Sequence, residues 1–179
     1  MSLLPTLTPA SLRTERLLLR PYQPTDAAVF YALLNAERRR LEPAFPRRVA
    51  SVRTLADAER TLRTFAENWR HRRLLVWGIW NSTATCYLGD ISLQPDSPRI
   101  RAGEIGYYLA AAAEGFGYAR EALRAVVEYA FEHLDARALT LRCRPSNVRS
   151  QATAEAIGFR RAADTDAGVW HYALARTRT

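Results

Sequence analysis

A short apolar strand, a glycine-spaced turn and a long amphipathic helix follow one another without a break between Glu104 and Leu134. Within the helix, apolar residues recur at spacings of three and four along one face. These residues are Ala119, Ala122, Leu123, Val126, Val127, Ala130, Phe131 and Leu134. The opposite face is charged, so the helix packs on a core with one side and meets water with the other. Because the strand leads directly into the turn, the start of the helix lies at a fixed point of the fold.

The turn before this helix contains Gly115 and Gly117. The first backbone N–H groups of a helix have no partner within it, and glycine leaves little side-chain bulk in front of them. Together with the positive end of the helix dipole, these donors favour an anion such as a phosphate or pyrophosphate. Two closely spaced glycines are also common in tight turns that bind nothing. The residues alone leave both interpretations open.

The segment EGFGYAREAL resembles the pyrophosphate-binding loop of the GNAT (GCN5-related) N-acetyltransferases, whose pattern is Gln/Arg-x-x-Gly-x-Gly/Ala followed by a helix. Glu114, Gly117 and Ala119 stand at its first, fourth and sixth positions. Glu114 departs from the pattern because it is acidic, and Phe116 replaces a residue that is often polar. The resemblance implies that this loop binds acetyl coenzyme A as cosubstrate. The implied binding residues are Glu114, Gly115, Phe116, Gly117, Tyr118, Ala119 and Arg120.

Two further segments are similar to one GNAT branch, the RimJ/RimL-type ribosomal-protein N-terminal acetyltransferases. The first comprises Arg13-Thr14-Glu15-Arg16-Leu17 with Leu19-Arg20-Pro21, and the second comprises Asn147-x-x-Ser150 with Gly158-Phe159. The resemblance extends from about Leu12 to Ala175 and is weakest between Glu37 and Arg53, where that branch covers the acceptor pocket. It implies the GNAT fold, a mostly antiparallel sheet of about seven strands that is splayed in the middle and flanked by helices.

The other periodic segments predict an α+β order, with a meander of strands followed by helix, strand, helix and strand. Strands are predicted at Leu17–Leu19, Leu74–Asn81, Thr85–Gln94, Arg101–Leu109, Ala138–Cys143, after Gly158 and at Val169–Ala175. Helices are predicted after the caps Thr25 or Asp26, Thr54 and Asn147. Val148, Ala152, Ala156 and Ile157 are the predicted apolar side of the last helix, and residues 38–53 are predicted to be irregular.

Length and composition fit one soluble domain. The chain has 179 residues, of which 48% are hydrophobic and 25% charged. We expect a single domain over residues 1–179 with a loose leader at 1–11. A basic-then-apolar signal segment is not seen, and the longest apolar run, Leu74–Trp80, is too short to span a membrane. The expected location is therefore the cytoplasm. Cys86 and Cys143 are far apart and lie in strand-like segments, so we expect buried inert thiols and no metal site.

The formal net charge is +8, and all 26 basic residues are arginine. The absence of lysine indicates a genome-wide compositional bias, but the positive field still favours anionic ligands. The alternative is a basic nucleic-acid- or ribosome-binding protein that retains the fold without activity, although aromatic-basic interleaving is not seen and no DNA partner is expected. A Rossmann-type nucleotide site is disfavoured because Arg120 stands at the third glycine position and the strands lack βαβ alternation.

When a primary amine attacks an acetyl thioester, a negative charge develops on the carbonyl oxygen and a positive charge on the nitrogen. The site has to stabilise the first and remove a proton from the second. The oxyanion needs a fixed donor, and the resemblance implies the backbone N–H of Leu109, where a bulge parts the strand from its neighbour to admit the pantetheine arm. The amine must lose a proton, and Glu104 is the preferred base because it leads this strand. Asp90 is the second choice. Glu104 as a plain edge-strand charge remains open.

The departing thiolate also needs a partner. Many GNAT enzymes carry a tyrosine seven residues after the position of Asn147, but Ala154 stands there. The resemblance therefore implies Ser150 as hydrogen-bond donor to the thiolate and Asn147 as a ligand of the pantetheine arm, while a purely capping role for Ser150 stays open. The acceptor, a protein N-terminus or a small-molecule amine, is not determined by the sequence. A homodimer is compatible with it.

Overall fold

Eight strands form one sheet in the order β1-β2-β3-β4-β5-β6-β8-β7. The structure is a computed structural model that describes residues 11–162 and 168–176. The strands are β1 (Leu12–Arg13), β2 (Leu17–Arg20), β3 (Leu75–Asn81), β4 (Tyr87–Pro95), β5 (Ala102–Leu109), β6 (Ala138–Cys143), β7 (Arg160–Arg161) and β8 (Trp170–Ala175). All neighbours are antiparallel except β5 and β6, which are parallel. The predicted mostly antiparallel α+β sheet is confirmed, with the two-residue β1 as an additional strand.

Six α-helices flank the sheet within the described ranges. They are α1 (Ala27–Ala36), α2 (Arg38–Leu41), α3 (Pro46–Ser51), α4 (Leu55–Arg70), α5 (Tyr118–His133) and α6 (Val148–Ile157). The apolar face of α5 packs with strand residues in one core cluster, and α1 and α4 contribute Phe30, Leu34, Leu62 and Phe65 to a second. Helix α5 therefore buries the face that its periodicity predicts, and this burial holds its N-terminus beside the end of β5.

Local signals explain where two of the helices begin and end. The Thr54 hydroxyl accepts a hydrogen bond from the N–H of Asp57, whose carboxylate accepts from the N–H of Thr54, so a capping box starts α4. The Asn147 side chain accepts from the N–H of Ser150 at the start of α6, and Gly158 ends that helix at a φ of 101°. A left-handed C-cap favours glycine because other residues are strained there.

The sheet opens between its two parallel strands. Pairing of β5 with β6 runs from Ala102 with Ala138 to Ile105 with Leu141 and goes no further. On its other edge β5 stays paired with β4 as far as Leu109. The last four residues of β5 therefore have a free edge towards the side on which β6 has diverged, and the predicted splay in the middle of the sheet is confirmed.

The implied bulge in β5 is wrong. The register between β4 and β5 is continuous from Gly89 with Leu109 to Pro95 with Gly103. The register shift among these strands lies instead between β3 and β4, beside Trp80. The opening beside β5 is thus made by β6 leaving, and not by an extra residue in β5.

The prediction of an irregular segment at residues 38–53 is also wrong, because the segment contains α2 and α3. Both are short, and α2 contains three arginines in succession, so neither shows a usable apolar period. Two hydrogen bonds from one side chain connect the two ends of the segment. The Arg38 guanidinium donates to the carbonyls of Val49 at 2.6 Å and of Val52 at 2.7 Å.

Two burial predictions need correction. Ala154 is the fully buried residue of α6, whereas Val148 is 66% exposed and Ala152 and Ala156 are exposed. Because α6 has only ten residues, its apolar pattern fits more than one face. Cys143 is buried as predicted, but Cys86 is exposed, because it lies in the turn before β4.

Candidate functional site

The turn before α5 leaves open space in front of the helix. Gly115 and Gly117 have φ values of 87° and 80°, which residues with a Cβ adopt at a cost. A Cβ atom built on Gly115 would meet no atom within 4 Å, and one on Gly117 would meet only the guanidinium tips of Arg16 at 3.5 Å and Arg120 at 3.9 Å. The unpaired N–H groups of the first helical turn are thus accessible, and the nearest charges are positive.

Arg16 holds the turn to the β1–β2 connection. Its guanidinium donates to the Phe116 carbonyl at 2.9 Å and to the Glu121 carboxylate at 2.7 Å. Thr14 donates to the same carboxylate. Burial alone would raise the pKa of Glu121, but the hydrogen bonds from Thr14 and Arg16 outweigh it and lower this pKa. The two segments that resemble the family at positions 13–21 and 114–123 are therefore in direct contact.

The acidic first position of the loop is neutralised. The Glu114 carboxylate accepts from Arg40 of α2 at 2.6 Å and from Arg149 of α6. Both partners lie far from Glu114 in the sequence. The carboxylate is therefore bound by two cations. These offset its negative charge, which would otherwise repel a phosphate at the neighbouring turn.

Arg40 joins α2 to the end of β5. Besides Glu114, it donates to Glu37 at 2.6 Å and to the carbonyl of Leu109. The other oxygen of Glu37 accepts from the N–H of Ala111 at 2.9 Å. Burial alone would raise the pKa of Glu37, but these hydrogen bonds lower it. This network, which sequence reasoning missed, fixes the backbone between β5 and the glycine turn.

The backbone of Leu109 faces the opening. The N–H of Ala110 donates to the carbonyl of Leu88, on the β4 side. Successive residues of a strand direct their N–H groups to alternate edges, so the N–H of Leu109 is directed to the edge that β6 has left. A donor at this position is what a developing oxyanion needs.

Glu104 lies in the part of β5 that is still paired with β6, opposite Thr140. Its carboxylate accepts from Arg142 at 2.9 Å and 2.8 Å, and its side chain is 40% exposed. At about 3.3 Å per residue, Glu104 is roughly 16 Å along the strand from Leu109. A base at this position would act on a group near Leu109 only through intervening water.

Asp90, the second choice of base, lies in a buried polar cluster. It is 1% exposed and accepts from Tyr108 at 2.8 Å, from Tyr22 at 3.2 Å and from Arg48 of α3. Burial raises its pKa, although Arg48 and the tyrosines oppose the rise. A carboxylate with three donors and almost no exposure is suited to holding α3 against the sheet.

Asn147 and Ser150 lie at the start of α6, across the opening from β5. The Asn147 side-chain oxygen caps α6 by accepting a hydrogen bond from the backbone N–H of Ser150 at 3.1 Å, and not from the Ser150 hydroxyl. The Ser150 hydroxyl instead lies 3.1 Å from the hydroxyl of Tyr107. Tyr107 is two residues beyond the last pairing of β5 with β6. Strand alternation gives its face, but the contact with α6 could not be predicted from the sequence.

Two further observations bear on the class of protein. Among residues 11–162 and 168–176, no group of three or more His, Cys, Asp or Glu side chains could hold a metal ion. In the same part of the chain, every helix is too short or too polar to cross a bilayer.

A mixed sheet that splays beside an open, glycine-bounded helix start is the arrangement that the resemblance to the N-acetyltransferases implies. The family model described as "Acetyltransferase (GNAT) domain" matches residues 16–160. The chain therefore belongs to the GNAT acetyltransferase family, and it is an acyltransferase. The "Probable N-acetyltransferase YjcK" of Bacillus subtilis is 27% identical over 149 residues, which cover 83% of this chain and 82% of that protein.

Solved structures agree on the fold. RimJ of Mycobacterium smegmatis, in complex with CoA-disulfide, superposes with a TM-score of 0.78 at 21% identity, covering 93% of this chain and 86% of that one. The ribosomal-protein-S5-alanine acetyltransferase of Vibrio fischeri gives 0.81 at 19% identity, covering 93% and 96%. The chain thus shares its overall fold with both of these proteins. These comparisons do not support the nucleic-acid-binding alternative.

Proposed function

We propose that the protein transfers acetyl from acetyl coenzyme A to the primary amine of a protein N-terminus, by direct attack within a ternary complex. The observation that carries the proposal is the unobstructed glycine turn at 114–119 beside the free edge of β5. The diphosphate binds the N–H groups at the start of α5, and the pantetheine arm lies in the opening. A cytoplasmic location stays a prediction from the sequence, and a homodimer stays only compatible with it.

The roles of the site residues follow from this placement. The N–H of Leu109 donates to the oxyanion, and Arg40 holds the same residue through its carbonyl. Asn147 binds the pantetheine arm, and Ser150 donates to the thiolate. When the C–N bond forms and the C–S bond breaks, the amine proton passes to water or a base and the thiolate leaves as coenzyme A.

A protein N-terminus is favoured as acceptor on two grounds. The S5-alanine enzyme, which shares the fold, is named for the acetylation of a ribosomal protein. An α-amine titrates near 8, so a fraction is already deprotonated at neutral pH and only a weak base is needed. This suits a site in which Glu104 acts through water and Asp90 is sequestered.

Replacing Glu104 with glutamine tests the base. If Glu104 is the base, we expect the rate to fall about tenfold near pH 6.5 and less above pH 8, where the free amine needs no base. The measurement is kcat/KM for the acceptor as a function of pH. Glu128→Gln, on the exposed face of α5, is the matched control. A reduction that is equal at all pH values assigns the proton to water.

The function itself is tested by binding and by turnover. Calorimetric titration with acetyl coenzyme A should show saturable binding, and titration with RNA at moderate salt should show none. Thiol release should then be assayed with short peptides bearing free N-termini and with the same peptides acetylated at the N-terminus. Binding of RNA without binding of the coenzyme contradicts the proposal. Turnover only with small amines corrects the acceptor class.

A further inference from the structure

We infer that Tyr107 is a positioning residue for the Ser150 hydroxyl, so that together they form the hydrogen-bonding site for the sulfur of coenzyme A. This inference rests on the proposed function. It concerns the group that interacts with the departing thiolate, because Ala154 stands at the position on α6 where many members of the family carry a tyrosine. A tyrosine is present after all, but it comes from β5.

The position of Tyr107 brings its hydroxyl across the opening. Its backbone lies beyond the last pairing of β5 with β6, and its hydroxyl is 3.1 Å from that of Ser150 on α6. Leu109, the proposed oxyanion donor, follows two residues later, about 6.6 Å along the strand. A thioester whose carbonyl oxygen approaches Leu109 therefore has its sulfur within reach of the Ser150 side of the opening.

The direction of the hydrogen bond decides what Ser150 can do. Burial raises the pKa of Tyr107, so its hydroxyl keeps its proton at neutral pH. The hydroxyls of Ser150 and Thr153, both on α6, oppose this rise in the pKa of Tyr107. Either hydroxyl of the 3.1 Å pair can be the donor, and in the proposed arrangement Tyr107 donates and Ser150 accepts. The Ser150 proton is then directed away from Tyr107, on a hydroxyl that also interacts with the Cys143 thiol.

This arrangement stabilises a thiolate without transferring a proton to it. The C–S bond breaks, both electrons stay on sulfur, and the Ser150 O–H donates to the resulting anion. Because a buried tyrosine is a weaker acid than the thiol of coenzyme A, whose class titrates near 8.5, proton transfer from Tyr107 is unfavourable. The thiolate takes its proton from water as it departs.

The test combines Tyr107→Phe, which removes only the hydroxyl, with Ser150→Ala and the double variant. We expect kcat to fall about tenfold in Ser150→Ala and about fivefold in Tyr107→Phe, since a hydrogen bond to a charged group has this order of effect. The double variant should be no slower than Ser150→Ala. Tyr129→Phe is the matched control, because Tyr129 is a buried tyrosine on α5, away from this site, and the kcat of this variant should not change.

A spectroscopic measurement distinguishes positioning from a structural role. The thiol of bound coenzyme A is titrated by its thiolate absorbance, and its midpoint should lie below that of free coenzyme A in the wild type and move up in Tyr107→Phe. Affinity for desulfo-coenzyme A, which lacks the sulfur, should not change. An unchanged midpoint, or multiplicative effects on kcat, overturns the inference. Because the titration needs no acceptor, it stands or fails separately from the acetyl-transfer proposal.

Discussion

Substituting valine for Gly117 is expected to weaken binding of acetyl coenzyme A by at least about 100-fold, because two or more hydrogen bonds to the diphosphate are lost. Gly117 begins α5 at a φ of 80°, and a β-branched residue there is strained and places methyl groups in front of the helix. A Cβ atom there would be in ordinary van der Waals contact with the guanidinium tips of Arg16 at 3.5 Å and Arg120 at 3.9 Å, so the loss comes from the strain and from the blocked approach to the helix start. The measurement is calorimetric affinity for acetyl coenzyme A.

Gly158→Val is the matched control for strain. Gly158 also has a left-handed φ, 101°, but it ends α6 and a Cβ there would meet only the Leu174 side chain at 3.6 Å. Both variants should lose about 1–3 kcal/mol of unfolding free energy. Only Gly117→Val should lose coenzyme affinity. Wild-type affinity in a folded Gly117→Val variant would remove the phosphate assignment.

Local signals accounted for the parts of the fold that depend on a few neighbouring residues. The period of α5, the Thr54–Asp57 box and the Asn147 and Gly158 caps are each determined within one or two helical turns. Strand alternation gave the order of the meander for the same reason. The splay was predicted only through the resemblance, because the residue at which β5 and β6 stop pairing, Ile105, carries no local sequence signal.

The contacts that complete the site could not be predicted because their partners are distant in the chain. Arg40 approaches Glu114 from a segment that matched the family least, and Arg149 binds the other carboxylate oxygen from α6. An arginine-rich sequence offers many such pairs, so composition does not select among them. Tyr107 was assigned to the correct strand, but its partner Ser150 lies on a helix whose buried face was mispredicted.

Substituting methionine for Arg48 is expected to lower the unfolding free energy by about 3–5 kcal/mol, the range for a buried charge that loses its partner. Arg48 is the cation that α3 directs at Asp90, and Asp90 is 1% exposed. Tyr22 and Tyr108 remain as donors, but they carry no charge. Denaturant unfolding measures the loss. Arg47→Met, an exposed neighbour, should change stability by less than about 0.5 kcal/mol.

The loss of stability in Arg48→Met should depend on pH. Burial raises the pKa of Asp90 in the folded state, so its contribution to stability is largest below the unfolded pKa, near 3.9, and is lost as pH rises through the folded pKa. Without Arg48 the rise is larger, and the stability deficit of Arg48→Met should therefore shrink as the solution is acidified. The double variant Arg48→Met with Asp90→Asn should recover most of the loss at neutral pH. The guanidinium of Arg48 also lies 4.6 Å from the ring centroid of Phe65. If the loss of stability is independent of pH and the double variant does not recover it, Arg48 contributes through this packing on Phe65 and not through Asp90.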